Sequence, residues 1–138
     1  MNLANALQDR GDLSGAIRHL RAALRLNPSA AESHNNLGVA LATAGRDAEA
    51  EAEFREAARL SPRLVDAPGN LGALYLRQQR YDDAIAPLRQ ALAIDPRRVK
   101  ERFLLVRAYR LAGRPSDAEY EVLRLREVAP DLAAELTR

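Results

Sequence analysis

Cysteine is absent from this chain of 138 residues, and aromatic residues supply only 4% of it. The lack of cysteine excludes disulfide bonds, zinc sites built from thiolates and catalysis by a thiol nucleophile. It leaves the redox state of the compartment open, because cysteine-free chains occur in reducing and oxidising surroundings alike. With few aromatic rings available, alanine and leucine must supply most of the core. These absences predict a packed protein without redox chemistry.

Long apolar runs are also missing. No stretch approaches the ~18 consecutive apolar residues that a membrane-spanning helix needs. The opening residues 1–5 lack the basic start and the apolar run of a signal peptide. We therefore expect a soluble, cytoplasmic protein with no membrane partner.

The charge balance is close to neutral, with a formal net charge of +2 from 21 basic and 19 acidic residues. Residues 1–69 carry a net charge of −1 and residues 70–138 one of +3, so the basic excess lies in the C-terminal half. Long anionic polymers usually require a denser stripe of cations than this. The composition therefore argues against nucleic acid as a partner.

Motifs that perform catalysis or bind cofactors are absent from the sequence. The chain has no glycine-rich phosphate loop, no Gly-x-Ser-x-Gly and no His-Glu-x-x-His. His19 and His34 are predicted to be solvent-facing or boundary residues, and two unpaired histidines without cysteine do not make a metal site. The glutamates within residues 49–56 are interspersed with arginine, which is typical of a solvated helix face. We expect no enzyme activity, no cofactor and no metal.

A period of 34 residues dominates what the sequence does contain. Prolines recur at this interval at Pro28, Pro62, Pro96 and Pro130. Three further columns keep the same step: Ala16, Ala50, Ala84 and Ala118; Leu3, Leu37, Leu71 and Leu105; and Leu7, Leu41, Tyr75 and Tyr109. A fixed period between about 20 and 50 residues is typical of repeat proteins, whose units bury their apolar faces against neighbours. We therefore expect four copies of one structural unit.

Each copy is predicted to be a helical hairpin, and the second copy shows the pattern best. Residues 31–44 place apolar side chains at helical spacing, and residues 47–60 do so again. Pro62 disfavours helical geometry in the residue before it, so the second helix must end there.

Glycine and proline mark the turns and two irregular positions. Glycine follows the first helix in three copies, where a left-handed C-cap is expected, at Gly11, Gly45 and Gly113. Gln79 replaces it in the third copy, which predicts a slightly strained turn. Pro68 lies near the start of a predicted helix, where it is tolerated. Pro87 lies inside another helix and is expected to kink its axis without breaking it.

These columns resemble the tetratricopeptide repeat. The resemblance rests on Asn36-Leu37-Gly38 and Asn70-Leu71-Gly72, on the recurring alanines and on the terminal prolines. It implies an all-α fold, a right-handed α-solenoid of four helix-turn-helix hairpins plus a short C-terminal capping helix. The single domain would hold repeats at about 1–30, 31–64, 65–98 and 99–130 and a cap at 131–138. Where the helices of the second hairpin cross, we expect Gly38 to face Ala50.

The period does not divide the chain evenly, so both ends cut a repeat. The chain is then either a piece of a longer array or a domain whose last residues form a cap from a truncated repeat, which we favour. In such a cap, Leu132 and Leu136 would cover the core beside Val122 and Leu125.

The resemblance also implies where a partner binds, because the first helices of successive tetratricopeptide repeats line a concave groove that receives a peptide. Placed on this sequence, the candidate peptide-binding residues are Asn2, Asn5, Asn36, Asn70, Arg77, Lys100, Phe103, Arg107 and Arg110. We therefore expect a protein–protein interaction module that binds an extended or acidic peptide of a partner protein in this groove.

Three of the asparagines form a ladder. Asn2, Asn36 and Asn70 stand 34 residues apart, and an amide offers both a donor and an acceptor to a peptide backbone. The alternative is that these amides bond to a neighbouring helix.

The basic residues form a second feature of the predicted groove. Lys100, Phe103, Arg107 and Arg110 share one helical face, and arginine suits carboxylates. The alternative is that the arginines solvate a face and pair with Glu101 or Asp95.

Two other functions are compatible with the sequence. The truncated repeat ends could stack on other copies, which would make the chain a self-assembling structural scaffold. The chain could also be the substrate-recruiting arm of a larger enzyme such as a glycosyltransferase.

Overall fold

The computed structural model describes residues 12–137, which form eight α-helices and no strand. The helices are α1 (Leu13–Leu26), α2 (Ala31–Thr43), α3 (Asp47–Leu60), α4 (Asp66–Arg77), α5 (Tyr81–Ile94), α6 (Val99–Leu111), α7 (Pro115–Val128) and α8 (Pro130–Leu136). The expected all-α fold is confirmed. Within residues 12–137, no helix combines the length and the apolar character needed to cross a membrane.

The second copy forms the predicted hairpin almost residue for residue. Helix α2 ends at Thr43, one residue earlier than expected, and α3 has the predicted bounds. Six of the apolar side chains expected on the inner faces are buried: Leu37, Ala40, Leu41, Ala50, Phe54 and Ala57. Ala44 is exposed and Ala58 is half-buried, although the helical spacing placed them on the same faces. The pairing of α2 with α3 therefore follows from the apolar stripe that each helix carries.

The turns inside the hairpins use left-handed backbone. Gly45 and Gly113 have φ angles of +79° and +75°, and Gln79 has +62°. The predicted C-caps at both glycines are confirmed, and the Gln79 turn carries the expected strain, because only glycine enters this region without steric cost. The Arg80 backbone N–H donates to the Tyr75 carbonyl at 2.8 Å, and the Arg80 guanidinium lies 4.3 Å from the Tyr75 ring centroid. This stacking helps to close the turn.

The chain divides into two compact units, Met1–Asn70 and Leu71–Arg138. In the described part of the first unit, α1 packs on α2 and α2 packs on α3. A Cβ atom added to Gly38 would lie 2.5 Å from Cε1 of Phe54. Phe54 is therefore the nearest neighbour of this position, and the expected contact of Gly38 with Ala50 stays a prediction. Helical side chains lean towards the N-terminus, so the ring of Phe54 reaches back over the turn that contains Ala50.

The second unit has its own core, in which α6 packs on α5 and α7. A Cβ atom on Gly72 would lie 2.5 Å from Cγ of Leu88, which repeats the glycine contact of the first unit. In the fourth copy the same two positions hold Val106 and Val122, and both are fully buried. At these two positions, the second and third copies combine glycine with a large residue. The fourth copy combines two residues of middle size.

Helix α8 packs on α7 at the C-terminal end of the described chain. Leu136 contacts the core cluster that contains Val122, as expected, and Leu132 is half-buried. Ala133, which the sequence did not single out, is the fully buried residue of this helix. The repeat boundaries and the capping role of the segment stay predictions.

The two irregular prolines lie in intact helices. Pro68 occupies the first turn of α4, where its missing N–H would have had no helical partner. Helix α5 runs unbroken from Tyr81 to Ile94 with Pro87 inside it, as expected, and the kink at Pro87 stays a prediction.

Candidate functional site

Helix α6 presents three cations and an aromatic ring on one face. Lys100, Arg107 and Arg110 are exposed, and Phe103 is half-buried among them. Their spacing of three to four residues, or multiples of it, places them along one side of the helix. We call Lys100, Phe103, Arg107 and Arg110 the α6 face. Leu111, which follows it at the end of the helix, is 50% exposed and adds apolar surface.

The cations of the α6 face make no ion pair or hydrogen bond within residues 12–137. The carboxylates that the sequence offered as alternative partners are engaged elsewhere. Glu101 is buried and pairs with Arg98 at 3.5 Å, and Asp95 pairs with Arg97 at 3.2 Å. The pKa of the Asp95 carboxyl lies below its ordinary value, because it accepts hydrogen bonds from the Arg97 backbone N–H and guanidinium. The suggestion that Glu101 or Asp95 neutralises this face is wrong.

Two carboxylates of α7, the helix that packs on α6, are also engaged by cations outside the face. Asp117 accepts a hydrogen bond from Arg114 at 2.8 Å, and Glu121 forms a buried pair with Arg102. The α6 face therefore keeps its positive charge. Arg77, the remaining basic candidate, is exposed in the last turn of α4 and so lies outside this helix.

The asparagines of the first unit differ from the predicted ladder. The Asn70 amide donates a hydrogen bond to Oδ1 of Asn35 at 3.1 Å, and Asn35 is buried. The amide of Asn36 is half-buried and makes no hydrogen bond within the described residues. Asn70 therefore ties α4 to α2, as in the alternative in which the amides bond to a neighbouring helix. The amide of Asn36 stays available to a ligand. Asn2 and Asn5 lie outside the described residues.

A polar clip that the sequence did not suggest joins each of two hairpins to the proline before it. In the first unit, His34 on α2 lies 2.6 Å from Oε2 of Glu53 on α3 and 2.8 Å from the carbonyl oxygen of Pro28. His34 is a boundary residue, as expected, with its side chain 13% exposed. His19 is exposed. The imidazole therefore bridges both helices of the hairpin and the preceding turn.

The second unit repeats this clip with a different cation. Arg102 on α6 donates from Nη1 to Glu121 on α7 and from Nη2 to the Pro96 carbonyl oxygen at 3.0 Å. These residues lie 68 positions, or two periods, after His34, Glu53 and Pro28. In the third copy the cation and the carboxylate are replaced by Pro68 and Pro87. Pro68 and Pro87 thus occupy the two positions that hold the clip's side chains in the other copies. These two aligned positions were the sequence signal from which the clip could have been predicted.

An open cleft of about 470 Å³ lies beside the clip of the first unit. Its lining combines apolar and charged side chains from α1 to α3, namely Arg21, Leu24, Arg25, Pro28, His34, Leu37 and Glu53. Arg21 donates a hydrogen bond at 2.8 Å to Glu49, a carboxylate that Arg46 also binds. Burial lowers the pKa of His34. Its bonds to Glu53 and Pro28 and the charges of Glu53 and Glu56 outweigh this, and its pKa is raised above the ordinary value.

Comparison with known families identifies the repeat. Family models described as tetratricopeptide repeat match residues 1–64 and residues 75–137. A comparison with curated protein sequences gives no match.

Solved structures of similar fold are tetratricopeptide-like arrays from bacteria. MamA from Desulfovibrio magneticus superposes with a TM-score of 0.83 at 24% identity, covering 94% of this chain and 73% of that chain. PilF from Pseudomonas aeruginosa gives 0.82 at 25% identity, covering 94% of this chain and 59% of that chain. A thermophilic protein of Thermus thermophilus gives 0.77 at 20% identity, covering 97% and 77%. These similarities show the fold.

Proposed function

We propose that this chain, which belongs to the tetratricopeptide repeat family, binds an acidic segment of a partner protein on the α6 face. Domains of this family generally bind protein partners and are typically not catalytic. The family accounts for the general role of an interaction module, and the residues of α6 account for the chemistry of the partner.

The observation that supports an acidic partner is the absence of carboxylate partners for Lys100, Arg107 and Arg110 within residues 12–137. A partner's carboxylates can form charge-assisted hydrogen bonds with these side chains without first breaking an internal ion pair. The planar guanidinium groups of Arg107 and Arg110 suit bidentate contacts with carboxylates. Phe103 offers an aromatic ring on which an apolar side chain of the partner can pack.

The length of the α6 face limits the segment that it can contact. Lys100 and Arg110 are ten residues apart, which corresponds to about 15 Å along a helix. An extended peptide rises about 3.3 Å per residue, so roughly five of its residues span that distance. We therefore expect a segment of about this length with acidic residues near both ends and an apolar residue between them.

A second contact of the module is assigned to the asparagines. Asn36 has an unbonded amide, and Asn70 retains one N–H beside the one that it donates to Asn35. Both groups can hold the backbone of an extended peptide. From the sequence alone, Asn2 is assigned the same role, Asn5 a place in the lining of the groove, and Arg77 a contact with the partner's carboxylates.

The test of the α6 face is a double charge reversal, Arg107→Glu with Arg110→Glu. Binding of a fluorescein-labelled peptide in which acidic residues flank one leucine is followed by fluorescence anisotropy at two salt concentrations. We expect the variant to bind at least about tenfold more weakly than the wild type, because two attractions become repulsions. Circular dichroism checks that the helix content is retained.

A matched control separates the α6 face from the net charge of the protein. Arg89 and Arg126 are exposed on α5 and α7 and make no ion pair or hydrogen bond within residues 12–137. Their double reversal to glutamate changes the net charge by the same amount, and it should alter the affinity by less than about threefold. Equal losses in both variants would show that the peptide responds only to overall charge, and the α6 face would not be the site.

The other functions expected from the sequence stay predictions, and each has its own test. Self-association through the repeat ends is tested by sedimentation at high protein concentration, where a monomer would exclude the scaffold. A role as the recruiting arm of a larger enzyme is tested by the neighbouring coding sequence. The module is further proposed to act without nucleic acid, membrane or cofactor, without catalysis, and in the cytoplasm.

A further inference from the structure

We propose that His34 is a protonation-dependent clip that holds the α2–α3 hairpin to the Pro28 turn, and that Arg102 is its permanently charged counterpart in the second unit. The proposal concerns the regulation of the hairpin that carries Asn36, and it is independent of the α6 face. It rests on the geometry around the imidazole ring.

Both ring nitrogens of His34 face groups that can only accept a hydrogen bond. Nε2 lies 2.8 Å from the Pro28 carbonyl oxygen, and Nδ1 lies 2.6 Å from Oε2 of the Glu53 carboxylate. A neutral imidazole carries a hydrogen on only one nitrogen, whereas the imidazolium carries one on each. Only the protonated ring can therefore donate to both acceptors, and loss of the proton releases either the turn or α3.

The charges around the ring include both signs. Helix α3 contributes Glu53 and Glu56, which favour the protonated ring. Helix α1 contributes Arg21 and Arg25 to the lining of the same cleft. Arg21 shares the Glu49 carboxylate with Arg46, and Arg25 is exposed at the end of α1. Burial lowers the pKa of His34, and the hydrogen bonds to Glu53 and Pro28 together with the charges of Glu53 and Glu56 raise it above the ordinary value.

The second unit shows what a clip without pH dependence looks like. Arg102 reaches the equivalent carboxylate and the equivalent proline carbonyl, and a guanidinium stays protonated at every pH at which proteins fold. The third copy replaces both side chains by Pro68 and Pro87, which do not titrate. Among residues 12–137, the clip that can change its charge near neutral pH is therefore the one formed by His34.

The direction of the pH effect follows from the raised pKa of His34. The clip stabilises the hairpin fully below the pKa of an unfolded histidine, about 6.5. This stabilisation is lost as the pH rises through the higher pKa of the folded state. Asn36 lies two residues further along α2, so the proton on His34 acts on the hairpin that carries this amide.

The first test is an NMR titration of His34 in the intact chain. We expect its midpoint to lie above the ordinary histidine pKa of about 6.5, and Glu53→Gln to lower this midpoint. A His34 midpoint at or below the ordinary value, or one that Glu53→Gln does not move, would overturn the proposal.

The second test exchanges the cations of the two clips. Thermal unfolding is measured at about pH 5.5 and about pH 8, on either side of the histidine midpoint. His34→Arg should remove the loss of Tm that the wild type shows at the higher pH, and Arg102→His should enlarge it. His34→Gln serves as a second variant that cannot titrate, and His19→Gln is the matched control that should keep the wild-type response. If His34→Arg and His34→Gln both retain that response, the proposal fails.

Discussion

Gly38→Ala tests the packing of the first hairpin at its tightest point. The new Cβ atom would lie 2.5 Å from Cε1 and 2.7 Å from Cδ1 of Phe54, distances that real side chains do not tolerate. Phe54 is 2% exposed, so its ring cannot rotate into solvent to make room. The substitution must therefore displace the ring or separate α2 from α3.

The expected change in the free energy of unfolding for Gly38→Ala is the difference between two effects of opposite sign. Overpacking in a dense core costs about 1 to 3 kcal/mol. Replacing a helical glycine by alanine recovers roughly 0.5 to 1 kcal/mol of helix propensity. We therefore expect a net loss of about 0.5 to 2 kcal/mol in the free energy of unfolding, measured by urea denaturation followed by circular dichroism.

A double-mutant cycle shows whether the ring is the cause. Phe54→Leu should destabilise the wild type, because it removes buried aromatic surface, but it should cost much less in the Gly38→Ala background, where it also relieves the clash. We expect a coupling energy of at least about 1 kcal/mol. Additive effects, or a Gly38→Ala variant more stable than the wild type, would refute the contact and with it the account of how these hairpins close.

Three further substitutions probe the rest of the fold. Ala50→Leu should lower the free energy of unfolding by about 1 to 3 kcal/mol through overpacking, since Ala50 is fully buried; an unchanged urea midpoint would argue against that. Gln79→Gly should raise stability by about 1 kcal/mol, because it relieves the left-handed backbone, and a lower Tm would contradict the strain. Arg102→Met should cost about 3 kcal/mol by leaving Glu121 buried without a partner, and adding Glu121→Leu should restore part of the loss, whereas a further loss would speak against the pair.

The helices were predictable because the signals that define them are local. The spacing of the apolar residues predicts which helix faces are buried. The repeat period then extends the pattern of one hairpin to the next. The left-handed turns at Gly45 and Gly113 follow from residue type alone. Even the strain at Gln79 could be anticipated, because the other copies show which residue the turn prefers.

The contacts between helices were less predictable. The sequence placed Gly38 opposite Ala50 through the resemblance to the tetratricopeptide repeat, but it did not indicate that the ring of Phe54 lies nearest to Gly38. The His34 clip was not predicted, because one of its acceptors is a backbone carbonyl and a pattern of side chains does not show backbone acceptors. Aligning the copies at 34 residues places His34, Pro68 and Arg102 in one column, and that alignment could have exposed it.

The candidate site was predicted in part. The cations of α6 were found from helical spacing, and the structure adds that Glu101 and Asp95 pair with other residues. Sequence could not decide this, because Arg97, Arg98 and Arg102 also lie close to these two carboxylates along the chain. For Asn70 the structure favours the alternative in which the amide bonds to a neighbouring helix.

The most direct test of the proposed function is amide chemical-shift mapping of the wild-type chain during titration with the acidic peptide. The account predicts saturable shifts centred on residues 99–111, with the largest changes near Arg107 and Phe103, and a loss of these shifts at high salt. Shifts confined to other helices, or none at peptide concentrations where anisotropy reports binding, would contradict it.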